Sequence, residues 1–510
     1  MKHLKYIAMA FLAMGTASLT ASCDDLDQEP QTDTTASNVY TTAANFRSVL
    51  AKIYSVLTLK GSTGSNDLTT NKGEAFMRCY FNLQDVCTDE LVYSWMSGDN
   101  MTDINDMTWD AQDVWVSDTY YWLYYNITLC NEFIRNANER SGSFSASDKE
   151  LVDGYVLEAR FMRALAYWQV LDLYRKGAMV TEENKAGAYV PPAADATGLF
   201  EYVESELKEI ADQMPGRTEQ EYGRAPRGAA YALLSRLYLN AEVYGQKAHY
   251  SDVITYSQKV LDEGYTLHST FSELFNADNN LRTDEIIFGI ESDATTTVSW
   301  GASTYIVCGC ASAYTDQDPA SVGISSAWSM WRSTSQMTSL YDGYSGDTRA
   351  MFYTSGQSKD ITDADNQNQG YLFTKWTNLT DAGETASNTA SYGVNTDFPL
   401  FRAAEAYLNI AEAILRGGEG AAESSDYYIN QVRERAGISG LSGASLQDVL
   451  DERGREFALE CQRRTDLVRF GKFLIGGWDC GPTNRPEKYK YYPIPQTELT
   501  ANPNLTNPEY

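Results

Sequence analysis

The sequence predicts a mainly α protein: a scaffold of helix hairpins carrying a large irregular region of loops and short strands. Three observations point there. Apolar residues recur at helical spacing along much of the chain, glycines punctuate those stretches, and two long segments show no period. With 510 residues, 43% of them apolar, there is material for a substantial core.

Residues 1–22 read as a secretory signal. Lys2 and Lys5 precede an apolar run from Tyr6 to Ala17 that is too short to span a bilayer, and the small residues Ser18, Thr20, Ala21 and Ser22 lead to Cys23. A cysteine in that place looks like the acylated first residue of a mature bacterial lipoprotein, so Cys23 is the expected lipidation site. Thr20 stands where such segments usually carry Leu, which keeps an ordinary signal peptide with a stray cysteine, or an uncleaved anchor, as alternatives. Residues 23–37, with Asp24, Asp25 and Asp27, read as a flexible acidic leader, and 38–510 as a single domain.

Helical periodicity then takes over. Helices are expected around Ala43 to Leu59, and around Tyr120 to Asn138 paired with Asp148 to Tyr174, the latter marked by the stripe Leu157, Phe161, Ala164, Leu165, Trp168 and Leu171. Ala230, Leu234, Leu237, Ala241 and Tyr244 make a further stripe, which turns at Gly245 into Val253, Tyr256 and Val260 and stops at Gly264. A hairpin of about 34 residues with small residues at the close approach matches a tetratricopeptide (TPR) unit. Leu400, Ala404, Tyr407, Ala411 and Leu415, then Gly417-Gly418, then Ile429 and Val432, form another. Stacked pairs bury one another's apolar faces, so these units should make one scaffold. The irregular insertions span about 68–116 and 292–398; the second has strand-like pieces at Tyr305 to Val307 and Tyr371 to Trp376. Long insertions on a rigid scaffold are where binding surfaces tend to sit.

Composition removes several functions. A net charge of −29 argues against nucleic acid and against adsorption to anionic lipid. Beyond His3 there are only His249 and His268, with no HExxH, GxSxG, phosphate loop or DxDxDG pattern, so no catalytic residue, cofactor or metal is expected. Apart from Cys23 there are seven cysteines (Cys79, Cys87, Cys130, Cys308, Cys310, Cys461 and Cys480), which is no tidy disulfide framework; Cys308 and Cys310 read as same-face packing rather than a bridge. The 35 Tyr and 10 Trp are aromatics with polar handles, suited to stacking on ligands but equally to a core, and Trp109, Trp115 and Trp122 read as core.

Two C-terminal segments carry a family resemblance. Glu452, Arg453, Glu456, Phe457, Ala458, Glu460, Arg463, Asp466, Leu467, Arg469, Phe470 and Gly471 resemble the ER..EFA.E..R..DL.RFG signature of the SusD/RagB family, surface lipoproteins of Bacteroidetes. Tyr492-Pro-Ile-Pro-Gln496 through Glu498, and Ala501 to Leu505, resemble that family's tail, and Asn131, the Glu158 to Ala164 segment and the lipoprotein start extend the likeness over most of the chain. Read as one helix, the signature lets Glu452 reach Arg455 and Glu456, Glu460 face Arg463 and Arg464, and Asp466 face Arg469: a dense ion-pair network that fixes the helix. Carboxylates among arginines are held ionised, which suits structure better than a general acid. Gly454 weakens helix propensity by up to about 1 kcal/mol, and Cys461 and Gln462 replace a more usual Gly and His or Asn.

The resemblance implies a SusD-like fold and a non-enzymatic, lipid-anchored outer-membrane protein. Such a protein binds glycan and delivers it to a SusC-like TonB-dependent transporter. It further implies that Trp95, with Asp99 and Asn100, falls where members place a stacking Trp and a neighbouring Asn, and that Trp300, Tyr305, Tyr314, Trp328 and Trp331, with Arg332, supply the opposing side of one glycan platform. Sugar rings stack C–H faces on Trp and Tyr while amides, carboxylates and guanidiniums take the hydroxyls. The alternatives are a peptide receptor of the same family, a glycoside hydrolase, whose two flanking carboxylates no motif marks, and a TPR interaction module without a small ligand.

Overall fold

The computed structural model describes residues 36–59, 74–184, 190–297, 301–386 and 393–510; Cys23, the acidic leader and Trp300 lie outside them. In chain order the elements that matter here are α1 (Ala43–Ser55), α2 (Phe76–Phe81), β1 (Leu91–Tyr93), α3 (Val114–Arg140), α4 (Ala146–Tyr174), α5 (Ala196–Ile210), α6 (Arg227–Leu239), α7 (Tyr250–Asp262), β2 (Ile286–Ile290), α8 (Ala302–Gly309), β3 (Trp331–Ser333), β4 (Phe398–Arg402), α9 (Ala403–Leu415), α10 (Ser425–Arg435), α11 (Leu446–Glu456) and α12 (Arg463–Arg469).

The helices start where their sequences dictate. Asp113 caps α3 by accepting the N–H groups of Trp115 and Val116 at 2.9 and 3.0 Å, and Ser145 caps α4 by accepting that of Asp148 at 3.2 Å. Ser445 and Asp448 form a reciprocal capping box on α11. The apolar stripes then pack in succession: α1 and α3 on α4, α4 on α5, α5 on α6, α6 on α7, α7 on α9, and α9 on α10 and α11. This is the stacked-hairpin scaffold that the periodicity predicts, and Trp109, Trp115 and Trp122 are buried in it. No helix among the described residues is long and apolar enough to cross a membrane.

Three local expectations change. Tyr305 to Val307 lies in helix α8, not in a strand: a short apolar run has no period to tell the two apart, and this one is buried against α2. Leu400 belongs to β4, which pairs antiparallel with β2, and α9 begins after it. Of Tyr371 to Trp376, only Leu372–Phe373 is strand, paired with Phe352–Tyr353. The seven described cysteines are free thiols.

The signature segment is two helices rather than one. α11 ends at Glu456 and α12 begins at Arg463, and between them Leu459 and Cys461 adopt positive φ values of 60° and 58°. A left-handed backbone at Cys461 accounts for glycine being the more usual residue there. The break turns Glu460 away from Arg463 and Arg464; it pairs with Lys375 and, at 2.7 Å, with Arg402. Around it lies a buried ionic cluster. Arg349 meets Asp347, Glu452 and Glu456 at 2.8, 2.7 and 2.9 Å; Arg433 and Arg455 meet Glu452 at 2.8 and 2.6 Å; Arg402 and Arg435 each bridge Glu285, at 2.9 Å, and Glu456. Asp466 pairs with Arg469 at 2.8 Å as its spacing predicts.

Candidate functional site

An apolar helix with one charge in it, Phe-Met-Arg-Cys-Tyr-Phe in α2, opens the site. α2 runs into a wide turn at Asn82–Val86 and then into β1. β1 pairs antiparallel with β3, setting Leu91 opposite Ser333, Val92 opposite Arg332 and Tyr93 opposite Trp331. The ladder continues one residue further, where the Ser94 N–H donates to Met330 O at 2.7 Å. A loop from the first insertion thereby lies against one from the second.

Trp95 stands at the end of this ribbon, 38% exposed, and its indole N–H donates to Trp328 O at 3.2 Å. Tyr314 faces it across the insertion, 52% exposed, with ring centroids 6.1 Å apart and planes inclined at 50°. The Tyr314 turn is pinned by Ala313 N–H donating to Ser329 Oγ at 2.9 Å and by Tyr314 N–H donating to Ser312 Oγ at 3.1 Å. Trp328 is half-buried beside them, its backbone N–H held by Cys308 O at 2.9 Å.

Asp99 closes the Trp95 loop. Its N–H donates to Trp95 O at 3.0 Å, and its carbonyl accepts the Trp115 indole N–H at 2.9 Å. Its carboxylate accepts the Tyr93 hydroxyl at 2.6 Å and faces Arg78 at 3.5 Å. Burial, with Tyr305 beside it, pushes the Tyr93 phenol well up, so it stays a neutral donor. Asn100 follows, exposed, in the left-handed region with a φ of 58°.

Three of the expected platform residues lie beneath the surface. Tyr305 and Trp331 are 0% and 2% exposed and pack edge to face at 4.8 Å; Arg78 stacks over Tyr305 at 4.5 Å. The Tyr305 hydroxyl donates to Asn82 Oδ1 at 2.8 Å and the Trp331 indole N–H to Cys310 Sγ at 3.3 Å. Arg332 is 1% exposed and spends its guanidinium internally, on Ser94 Oγ at 2.6 Å, Ala364 O at 2.7 Å, Gln369 O at 2.8 Å and Gln367 Oε1 at 3.2 Å. Burial pulls it down to about 10. The reason is that the β1–β3 ribbon is covered on both faces, by α8 over Trp331 and by residues 361–370 over Arg332. These side chains support the surface rather than form it.

The same contacts identify residues that sequence reading missed. Through Arg332, the polar run Asp363-Ala-Asp-Asn-Gln-Asn-Gln369 is drawn beside Ser94, with Asp365, Asn366 and Asn368 exposed. Its density of amides and carboxylates was a signal, as was the lone Arg78 in an apolar helix. Neither says which loop it will meet. The arrangement offers two inclined aromatic faces edged by carboxylates and amides, suited to holding a hydroxyl-rich ring.

The signature carboxylates do not resemble an acid–base pair. Burial alone would raise Glu456 and Glu452, but Arg435, Arg402 and Arg349 around the first, and Arg349 and Arg455 around the second, outweigh it and hold both below the usual range. Among the described residues, no group of three His, Cys, Asp or Glu side chains is placed to hold a metal ion.

Known proteins resemble this chain in sequence and in fold. The model of the SusD family matches residues 325–479. The chain is 30% identical to the starch-binding protein SusD of Bacteroides thetaiotaomicron, over 100% of this chain and 99% of that one. Among solved structures, the surface glycan-binding protein A of Bacteroides fluxus superposes with a TM-score of 0.73 at 18% identity, covering 92% of this chain and 100% of that one. That of Bacteroides thetaiotaomicron, in complex with laminarihexaose, gives 0.72 at 18%, with the same coverage. The full-length relationship at 30% identity, on a shared fold, makes this chain a member of the SusD family.

Proposed function

We propose that this protein is a cell-surface glycan-binding lipoprotein that captures oligosaccharide on the face built by Trp95, Tyr314 and Trp328 and passes it, without chemistry, to a TonB-dependent outer-membrane transporter. The observation that carries this is the Trp95–Tyr314 pair: two exposed aromatic rings, 6.1 Å apart, fixed from below. An exposed aromatic patch rimmed by polar residues marks an interaction site. The full-length relative named for binding starch, and the similar fold seen with laminarihexaose, support the ligand class. In this reading Asp99, Asn100 and the 363–369 run take hydroxyls, Tyr305, Trp331 and Arg332 brace the platform, and acylated Cys23 tethers the protein at high effective concentration over its transporter.

The test is calorimetry and affinity electrophoresis on a panel of soluble starch, laminarin and peptide competitors, with wild type and with Trp95→Ala and Tyr314→Ala. Loss of a stacking face should weaken glycan binding about ten-fold or more in each variant, with a cooperative thermal transition retained to show that each variant is folded. Unchanged glycan affinity in folded variants, or displacement by peptide alone, would sink the reading. Mass spectrometry of the mature N-terminus tests the acylation, and co-purification with a large β-barrel tests the partnership.

A further inference from the structure

Away from the Trp95 face, α1, the 221–224 turn and β2 enclose a cavity of about 380 Å³. That is the size of small-ligand sites. Its floor is apolar: Leu50, Leu57, Phe288 and Ile290 are all nearly fully buried. Its polar side chains can be accounted for one by one. Arg47 pairs with Glu221 at 2.8 Å, and Arg224 pairs with Glu221 at 3.2 Å and donates to Glu158 at 3.0 Å. Tyr54 donates to Glu158 at 2.7 Å and Tyr222 to Asp397 at 2.7 Å. The hydroxyls of Ser55, Thr58 and Thr297 donate to the carbonyls of Lys52, Glu291 and Asp293.

One group is left over. The exposed Glu291 carboxylate lines the cavity, and among the described residues no cation or donor reaches it. Burial and the neighbouring Glu221 raise it, with no positive charge to offset them. The position is built rather than incidental. A Cβ on Gly223, whose φ is +80°, would lie 2.3 Å from Glu291 Cδ, and one on Gly289 would lie 2.7 Å from the Tyr222 hydroxyl. Two side-chain-free positions thus let the carboxylate and the phenol lie flat against the backbone. Around the cavity two arginines, both committed, face the three carboxylates of Glu158, Glu221 and Glu291.

We infer that this cavity is a ligand site, separate from the Trp95 face, for a small organic cation: an ammonium group on an apolar carbon skeleton, with Glu291 as its counter-charge. The skeleton replaces water over Leu50, Leu57, Phe288 and Ile290, and the ammonium takes the place of solvent at the Glu291 carboxylate. An anion would meet Glu291 and Glu221 and be rejected. A neutral ligand of the same shape would keep the floor and lose the charge-assisted hydrogen bond.

Calorimetry on the full chain with 2-phenylethylammonium, 2-phenylethanol and 3-phenylpropionate tests this. Saturable binding of the ammonium is expected, about ten-fold tighter than the alcohol, the size of one charge-assisted contact, with no binding of the carboxylate. Glu291→Gln, which keeps shape and the backbone carbonyl that Thr58 uses, should erase that preference and leave glycan binding unchanged. Ala51→Phe, on the exposed rim of the cavity, is a second variant that should block the ammonium without touching Glu291. Failure of the ammonium to bind saturably, a preference that survives Glu291→Gln, or undiminished binding in Ala51→Phe would each overturn the assignment.

Discussion

A Cβ on Gly454 would lie 2.7 Å from Leu340 Cδ1 and 2.9 Å from Arg463 Nη1, which gives this residue a role that propensity alone hides. Alanine there should gain up to about 1 kcal/mol of helix propensity. Against that, Arg463 cannot step aside: it grips both Asp89 carboxylate oxygens at 2.7 Å and donates to Leu450 O at 3.2 Å. Overpacking of this kind costs about 1–3 kcal/mol. Gly454→Ala is therefore expected to lower stability in urea titration, and a variant more stable than wild type would refute the packing argument. The aromatics teach a parallel lesson. Trp95 and Tyr314 are exposed while Tyr305 and Trp331 are not, yet all four sit in the same kind of Ser/Thr/Gly-rich sequence.

The link between α11 and α12 shows how elements constrain one another. Its two left-handed residues point their N–H groups at buried carboxylates from the first insertion: Leu459 at Glu90, 3.1 Å, and Cys461 at Asp85, 2.8 Å. Burial pushes Asp85 up to about 7, against the lowering effect of the backbone N–H groups of Cys461 and Arg463; burial, then Asp85, raises Glu90 as well. A carboxyl raised above its unfolded value of about 3.9 binds its proton more tightly when folded. Its contribution is therefore greatest at low pH and is lost as pH climbs from about 4 to about 7. Asp85→Asn keeps an acceptor for Cys461 and cannot ionise, so denaturation midpoints over that window should fall less steeply than in wild type. An unaltered slope would show that Asp85 is not the titrating group.

At the scale of the whole molecule, the buried ionic cluster joins the helical scaffold to the insertion that carries Tyr314 and Trp328 of the proposed binding face. Arg402 comes from β4, Glu285 from just before β2, Glu452 and Glu456 from α11, and Asp347, Arg349 and Lys375 from the second insertion. Pairs like these are weak evidence for net stability, but removing one partner strands the others. Arg402→Met leaves Glu285, Glu456 and Glu460 short of a cation and should cost about 3–5 kcal/mol. Equilibrium unfolding monitored by tryptophan fluorescence measures it. A loss under about 1 kcal/mol would mean that Arg435, Arg349 and Lys375 compensate, and the cluster would not be the joint described.

Helix hairpins were legible because their signal is local: a stripe at helical spacing, a cap and a glycine all lie within a few residues of one another. The C-terminal motif was legible too, and its spacing named two of the pairs that form, Glu452–Arg455 and Asp466–Arg469. The partners of Glu460 were not legible. Glu460 turned to Lys375 and Arg402 because two left-handed residues break the helix, and a backbone φ cannot be counted from spacing. Nor could spacing show which aromatics reach solvent. That follows from the β1–β3 ribbon, where Ser94 and Arg332 meet across 238 residues of chain and α8 covers one face. Periodicity measures which side of an element is apolar. Burial in an irregular insertion depends on which distant segment arrives to cover it, and that is set by the packing of the whole chain.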